Sequence, residues 1–254
     1  MSEIPSDQQI LVYEQEIKDA EAKIHPLVGF KNHVSELYDE YRENNVFLDK
    51  LKQLEEKNIA NFRRCRGDGN CFYRAFSYRF FEYFLTNATE QEHQDAIKLL
   101  ENVKAWLKKI GYQEFAFEDF YDMTMEYFQN CRGIVESELV RIFQEDGTSN
   151  AIVVFFRLVV SSFLQTHADD YLPFVDGYET MDVFCQAQVE AFGRDADQIH
   201  IIALSNALDV KVKVAYLDAS DSKISFHEFG PENSKSLCEI TLLYRPGHYD
   251  LLYQ

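Results

Sequence analysis

Residues 67–84 read Gly67-Asp68-Gly69-Asn70-Cys71-Phe72-Tyr73-Arg74-Ala75-Phe76-Ser77-Tyr78-Arg79-Phe80-Phe81-Glu82-Tyr83-Phe84. Asp-Gly followed by Gly-Asn favours a tight turn, because glycine tolerates backbone angles that other residues avoid. Past the turn, Phe72, Ala75, Phe76, Phe80, Tyr83 and Phe84 recur at helical spacing. Tyr73 and Phe81 fill further positions, so the spacing predicts a helix over 71–86 that is buried on most sides. Cys71 then stands at the N-terminus of that helix. There the unpartnered N–H groups and the helix dipole favour an anion such as a thiolate. The same N–H groups can hold a developing oxyanion. An ordinary buried cysteine at a helix start fits the turn equally well, since free cysteine is commonly buried.

Working outward, the pattern stays helical on both sides. Ile10, Tyr13, Ile17 and Ala20 predict one helix, ended by His25-Pro26. Phe30, Val34, Leu37 and Tyr41 predict a second, and Leu48, Leu51 and Leu54 a third. Thr89 and Glu92 form a capping box that opens a helix running to about Ile110. Further helices are expected near 117–130, 134–145, 149–167 and 179–192. After residue 198 the period changes. Ile199–Ala203 is a short apolar run read as a strand. Val210, Val212, Val214 and Tyr216 alternate with other residues, and Ile224–Phe229 follows as another strand. Ile240–Tyr244 and His248–Tyr253 flank Arg245-Pro246-Gly247, a hairpin signal. Helices first and a C-terminal sheet give an α+β class.

The chain has 254 residues, with 25 Lys plus Arg against 43 Asp plus Glu, a formal charge of −18. That balance speaks against nucleic acid, which demands a cationic face. Residues 111–200 alone hold 4 basic and 17 acidic side chains, while 61–110 hold 9 and 6. The acidic stretch is either a solvated surface that aids solubility or a docking face for a basic partner. The most apolar run, 151–164, is shorter than the roughly 20 residues of a membrane span and contains Arg157, so it reads as a buried helix. No secretory leader is visible. Five cysteines (65, 71, 131, 185, 238) without CxxC spacing are expected to be free thiols. There is no HExxH, EF-hand loop, Walker motif or GxGxxG, so neither a metal nor another cofactor is expected.

A nucleophilic cysteine needs a base. Of seven histidines, His25 precedes a proline, and His33, His93 and His167 lie on charged segments read as surface. His200 sits in the apolar run as a core residue, and His227 in an alternating strand. His248 opens the last strand, with Asp250 two residues on and therefore on the same face. Asp250 can then bind one ring nitrogen while the other is presented as a base. His-x-Asp is common by chance, but it gains weight beside a cysteine at a helix start.

The stretch Gly67 to Phe76 resembles the nucleophile motif of the ovarian-tumour family of deubiquitinases, and Leu243-Tyr244-Arg245-Pro246-Gly247-His248-Tyr249-Asp250 resembles its histidine motif. Ile199–Leu204 resembles the strand between them. The pairing is similar to the otubain branch, over residues 8 to 254. The resemblance implies a papain-like fold with a small mixed sheet between helical layers. It implies an arm at 1–30 and a catalytic domain at 31–254. It further implies Cys71 as nucleophile, His248 as base, Asp250 as its orienter and Asp68 as the residue shaping the anion-hole loop. The backbone of Asp68, Gly69, Asn70 and Cys71 would form that hole. Cys65, among Arg63, Arg64 and Arg66, has no role readable from sequence.

The implied activity is cleavage of polyubiquitin, with a preference for lysine-forty-eight linkage, by a monomer in the cytoplasm and also the nucleus. Contacts with ubiquitin are expected at 8–30, 169–178, 188–198 and 224–234. Two other readings stand beside it. One is a non-catalytic inhibitor that binds a ubiquitin-conjugating enzyme. The other is a papain-like hydrolase with an unrelated substrate, since a fold does not fix a substrate.

Overall fold

The computed structural model describes residues 24–231 and 236–254. The helix expected over 10–20, and most of the 8–30 contact region, lie outside the described residues. The chain runs β1 (Val28–His33), α1 (Glu36–Glu40), α2 (Asn45–Glu56), β2 (Asn61–Cys65), α3 (Cys71–Thr86) and α4 (Glu90–Lys109). It continues through α5 (Glu118–Asn130), α6 (Glu136–Gln144), α7 (Asp146–Thr166), α8 (Ala168–Tyr171) and α9 (Met181–Phe184). The last passes into a π-helical turn, Cys185–Val189. Then come α10 (Gln198–Leu208), β3 (Val210–Tyr216), β4 (Ser225–Phe229), β5 (Cys238–Arg245) and β6 (His248–Tyr253).

The six strands form one mixed sheet in the order β1-β2-β6-β5-β3-β4. Among the described residues only β3 and β5 pair in parallel; β5 and β6 close the expected hairpin, with Arg245 opposite His248 and Leu243 opposite Asp250. Alternation in the strands feeds two cores. Val214, Leu242 and Leu251 join the large one, made with α3, α4, α5, α7 and α10. Ala215, Leu243 and Leu252 join a smaller one with Leu37, Leu51 and Leu54 of α1 and α2. The sheet therefore lies between helical layers, as the family resemblance implies.

Two elements differ from expectation. The Phe30–Val34 repeat is the edge strand β1, paired with β2 and broken by a bulge between Val28 and Lys31. Phe30 is 71% exposed, so its helical spacing to Val34 never made a common face. Ile199–Leu204 is not a strand but the body of α10, in which His200 Nδ1 accepts the N–H of Asp197 at 2.9 Å. A short run that is apolar on every side has no period to separate helix from strand. Strand β2 carried no strand signal, because three arginines cluster at 63, 64 and 66.

Helix α3 spans the predicted residues and is enclosed: Phe72, Phe76, Phe80, Phe81 and Phe84 are all buried. The Thr89–Glu92 capping box is present, with the Thr89 N–H donating to Glu92 at 2.8 Å. Helix α7 is long and apolar enough to cross a membrane, but 78% of that window is buried inside the protein. Among the histidines, His93 is not a surface residue: it is buried, its Nε2 2.9 Å from the Phe128 carbonyl, because α4 turns that face onto α5.

Candidate active site

The turn before α3 is built by one carboxylate. Asp68 Oδ1 accepts the Asn70 N–H at 2.9 Å, and Oδ2 accepts from Arg74 Nη2 at 2.6 Å. Arg74 is fully buried and also donates to Ser149 Oγ at 2.7 Å, so the loop is tied to both α3 and α7. Gly69 takes φ +77°, where an L side chain is strained, and its α-carbon faces the backbone of Gly193. Of the four backbone N–H groups expected to form an anion hole, that of Asn70 is thus given to Asp68. Those of Asp68, Gly69 and Cys71 remain to be offered.

Cys71 starts α3 and is nearly buried, 4% exposed. His248 starts β6, and its Nε2–H donates to Asp250 Oδ1 at 2.8 Å. With Nε2 committed, Nδ1 is the nitrogen left to take a proton from Cys71. Burial works against charge on His248, yet the bonds and charges of Asp250 and Cys71 outweigh it and push the imidazole up to about 10. Asp250 is fully buried, which opposes ionisation, but its bond to His248 and the nearby Arg245 hold its carboxyl below the usual range. Its Oδ1 also accepts the Cys65 N–H at 2.9 Å, and its Oδ2 accepts from Arg245 Nη2 at 2.6 Å. Cys65, without a role in the sequence, thus holds the carboxylate through its backbone while burial pushes its own thiol up.

The pair stands between two cavities. One, of about 810 Å³, is lined by Cys71, Phe174, Asp176, Tyr178, Asp195, Asp197 and Tyr249. The other, of about 630 Å³, is lined by His25, Glu40, Tyr41, Arg64, Arg245 and His248. Regions 169–178 and 188–198 therefore border the site, whereas 225–229 is the edge strand β4, outside both linings. Residues 232–234 lie outside the described residues. All five cysteines are free. Among the described residues, no group of three or more His, Cys, Asp or Glu side chains is placed to hold a metal ion.

A cysteine at a helix start beside a sheet, next to a histidine that is itself oriented by a buried carboxylate, is the arrangement of a papain-like thiol hydrolase. Residues 20–254 match the family described as Peptidase C65 Otubain. The chain belongs to the otubain family. It is 39% identical, over 93% of its length and 83% of the relative's, to the ovarian tumor domain-containing deubiquitinating enzyme 1 of Arabidopsis thaliana. It is 35% identical to the human ubiquitin thioesterase OTUB1, covering 98% and 90% of the two chains. Among solved structures, a chain of h/ceOTUB1–ubiquitin aldehyde–UBC13~Ub superposes with a TM-score of 0.87 at 31% identity, covering 97% and 98% of the two. A similar complex holding UBCH5B~Ub gives 0.86.

Proposed function

We propose that this chain is a ubiquitin isopeptidase acting through Cys71, His248 and Asp250. The observation that carries the reading is the convergence of the Cys71 thiol on His248, whose Nε2 is bound to the buried Asp250 carboxylate at 2.8 Å. Cys71 sulfur attacks the carbonyl carbon of ubiquitin's C-terminal glycine as His248 takes its proton. Negative charge on the tetrahedral oxygen is met by the N–H groups of Asp68, Gly69 and Cys71. His248 passes the proton to the leaving lysine amine, then takes one from the water that releases the thioester. Asp68 holds the turn in shape for this step. Preference for chains joined through lysine forty-eight belongs to the same proposal, as does a cytoplasmic and nuclear setting.

The 810 Å³ cavity suits the ubiquitin tail, because Asp176, Asp195 and Asp197 line it and that tail is basic. Exposed attractions of this kind are screened beyond a Debye length of about 8 Å at physiological salt. Raising salt from low to physiological strength is therefore expected to slow capture and raise KM severalfold, about 3–10-fold, with kcat little changed. A KM that does not move with salt would return the acidity to a solvated surface.

A second reading, inhibition of a ubiquitin-conjugating enzyme, is favoured by the solved relatives that hold UBC13~Ub and UBCH5B~Ub. Cys71→Ala decides both. An electrophile at the C-terminus of ubiquitin is expected to label the parent protein and not this variant, and no labelling of folded parent would sink the isopeptidase. In a chain-synthesis assay the same variant should still inhibit, and lose that effect when residues 1–30 are removed. Inhibition that vanishes with the thiol would sink the second reading.

A further inference from the structure

We propose that Arg157 is a positioning residue for the reaction, one that locks the nucleophile turn onto the wall of the cavity that takes the acyl half of the substrate. The proposal rests on the isopeptidase reading of Cys71. Arg157 sits in the middle of α7, fully buried within the most apolar run of the chain. An arginine is costly there unless every donor is satisfied. Its donors go to backbone and amide oxygens from three segments. Nη2 donates to Gly69 O at 2.9 Å, to Asn70 Oδ1 at 2.7 Å and to Arg194 O at 2.7 Å. Nη1 donates to Val189 O at 2.8 Å, and Nε to Asn70 Oδ1 at 3.2 Å. The face of the guanidinium lies 4.3 Å from the centre of the Tyr73 ring.

The consequence for the turn follows from peptide planarity. Arg157 holds the Gly69 carbonyl, and Asp68 holds the Asn70 N–H on the other side of the same peptide plane. With that plane held, the N–H groups one α-carbon away on either side, of Gly69 and Cys71, have only a narrow range of directions left. Asn70 is itself fully buried, and its Oδ1 also accepts the Gly193 N–H at 3.0 Å. Residues 189–194 are thereby joined to the turn through one guanidinium and one amide, and their neighbours Gln188, Asp195 and Asp197 line the cavity. A residue needed only for packing in this run would be apolar like its neighbours. A planar fork with five donors suits a joint between two loops.

The test compares parent and Arg157→Lys, which keeps the charge and buried stem but not the planar fork. Three readouts are taken: steady-state cleavage of a ubiquitin substrate, alkylation of Cys71 by a small haloacetamide, and thermal unfolding. A displaced anion-hole donor costs about 10²–10³ in kcat, so kcat is expected to fall at least tenfold, with KM and the alkylation rate each within about threefold. If Arg157→Lys does not fold, Asn70→Ser reads the same joint from the other side and should give the same split. The proposal is overturned if kcat stays within threefold of the parent. It is equally overturned if kcat, alkylation and melting temperature fall together, which is what a merely structural arginine would produce. Turnover by the parent checks the isopeptidase reading itself, separately from the ratio of variant to parent.

Discussion

Replacing Asp250 by Ala is expected to lower kcat by about a hundredfold or more, the range spanned by a general base that loses its orientation. The carboxylate is the point where four groups converge: His248 Nε2, the Cys65 N–H and Arg245 Nη2 bind it directly, and Cys71 is reached through the imidazole. Without it His248 loses both its hydrogen-bond anchor and the charge that holds its proton. The pH profile is the sharper measure. His248 is held protonated up to about 10, against its ordinary 6.5, chiefly by Asp250 and Cys71 acting against burial. The alkaline limb of cleavage in the parent should therefore lie well above neutrality, and in the variant it should move down towards neutral pH. Asp250→Asn keeps an acceptor for Nε2 but no charge, so it should lose less kcat while still shifting that limb downward. A variant with the parent's alkaline limb would show that Asp250 does not set the proton on His248.

The same pair gives stability a pH window. A histidine raised on folding contributes fully below its unfolded value of 6.5 and loses that contribution as pH climbs through about 10. A carboxylate lowered on folding contributes fully above its unfolded value of 3.8 and loses it as pH falls below. Both hold between those two unfolded values, so the gap in melting temperature between parent and Asp250→Ala should be widest there and narrow in alkali.

Helix α3, the Thr89 cap and the β5–β6 hairpin could be read directly, because each is signalled within a few residues: a buried period, a cap and its partner, a glycine in a turn. Cys71, His248 and Asp250 came from the same kind of local signal, and the long-range fact that they meet came from the motif resemblance. What could not be read is what depends on a distant partner. Strand β1 exists because β2, thirty residues later, pairs with it, and its own residues spell a helix as well. His93 looks solvated until α5 packs over it. The buried arginines were least legible. Arg63, in a run of basic residues, is 1% exposed because Glu136, Gly29 and the Tyr253 hydroxyl surround it. Arg157 could be seen only as an interruption in an apolar run. Nothing local says which carbonyls lie 37 or 88 residues away, yet those carbonyls are what make it part of the site.

Gly69→Ala should be severely damaging, although it adds a single methyl group. A Cβ built there would lie 2.0 Å from the Gly193 carbonyl oxygen and 2.5 Å from its carbon, both backbone atoms that no rotamer change can move. The φ of +77° adds strain of its own, since L residues rarely adopt it. Gly111 and Gly247 share a positive φ, but no atom lies within 4 Å of the position their Cβ would take, so Gly111→Ala is a matched control for the backbone strain alone. At Gly69 the turn must separate from residues 189–194, and the joint made by Arg157 and Asn70 opens with it. Steric overlap of this kind costs about 3 kcal/mol or more, which for a chain of this size lowers Tm by roughly 6–12 °C. Gly111→Ala carries only the strain of its φ, on the order of 1–2 kcal/mol. Cleavage should fall with the first and survive the second, because only the first moves the N–H groups proposed to meet the oxyanion. Equal losses of Tm and of cleavage in the two variants would mean that contact between the turn and Gly193 does not shape the site.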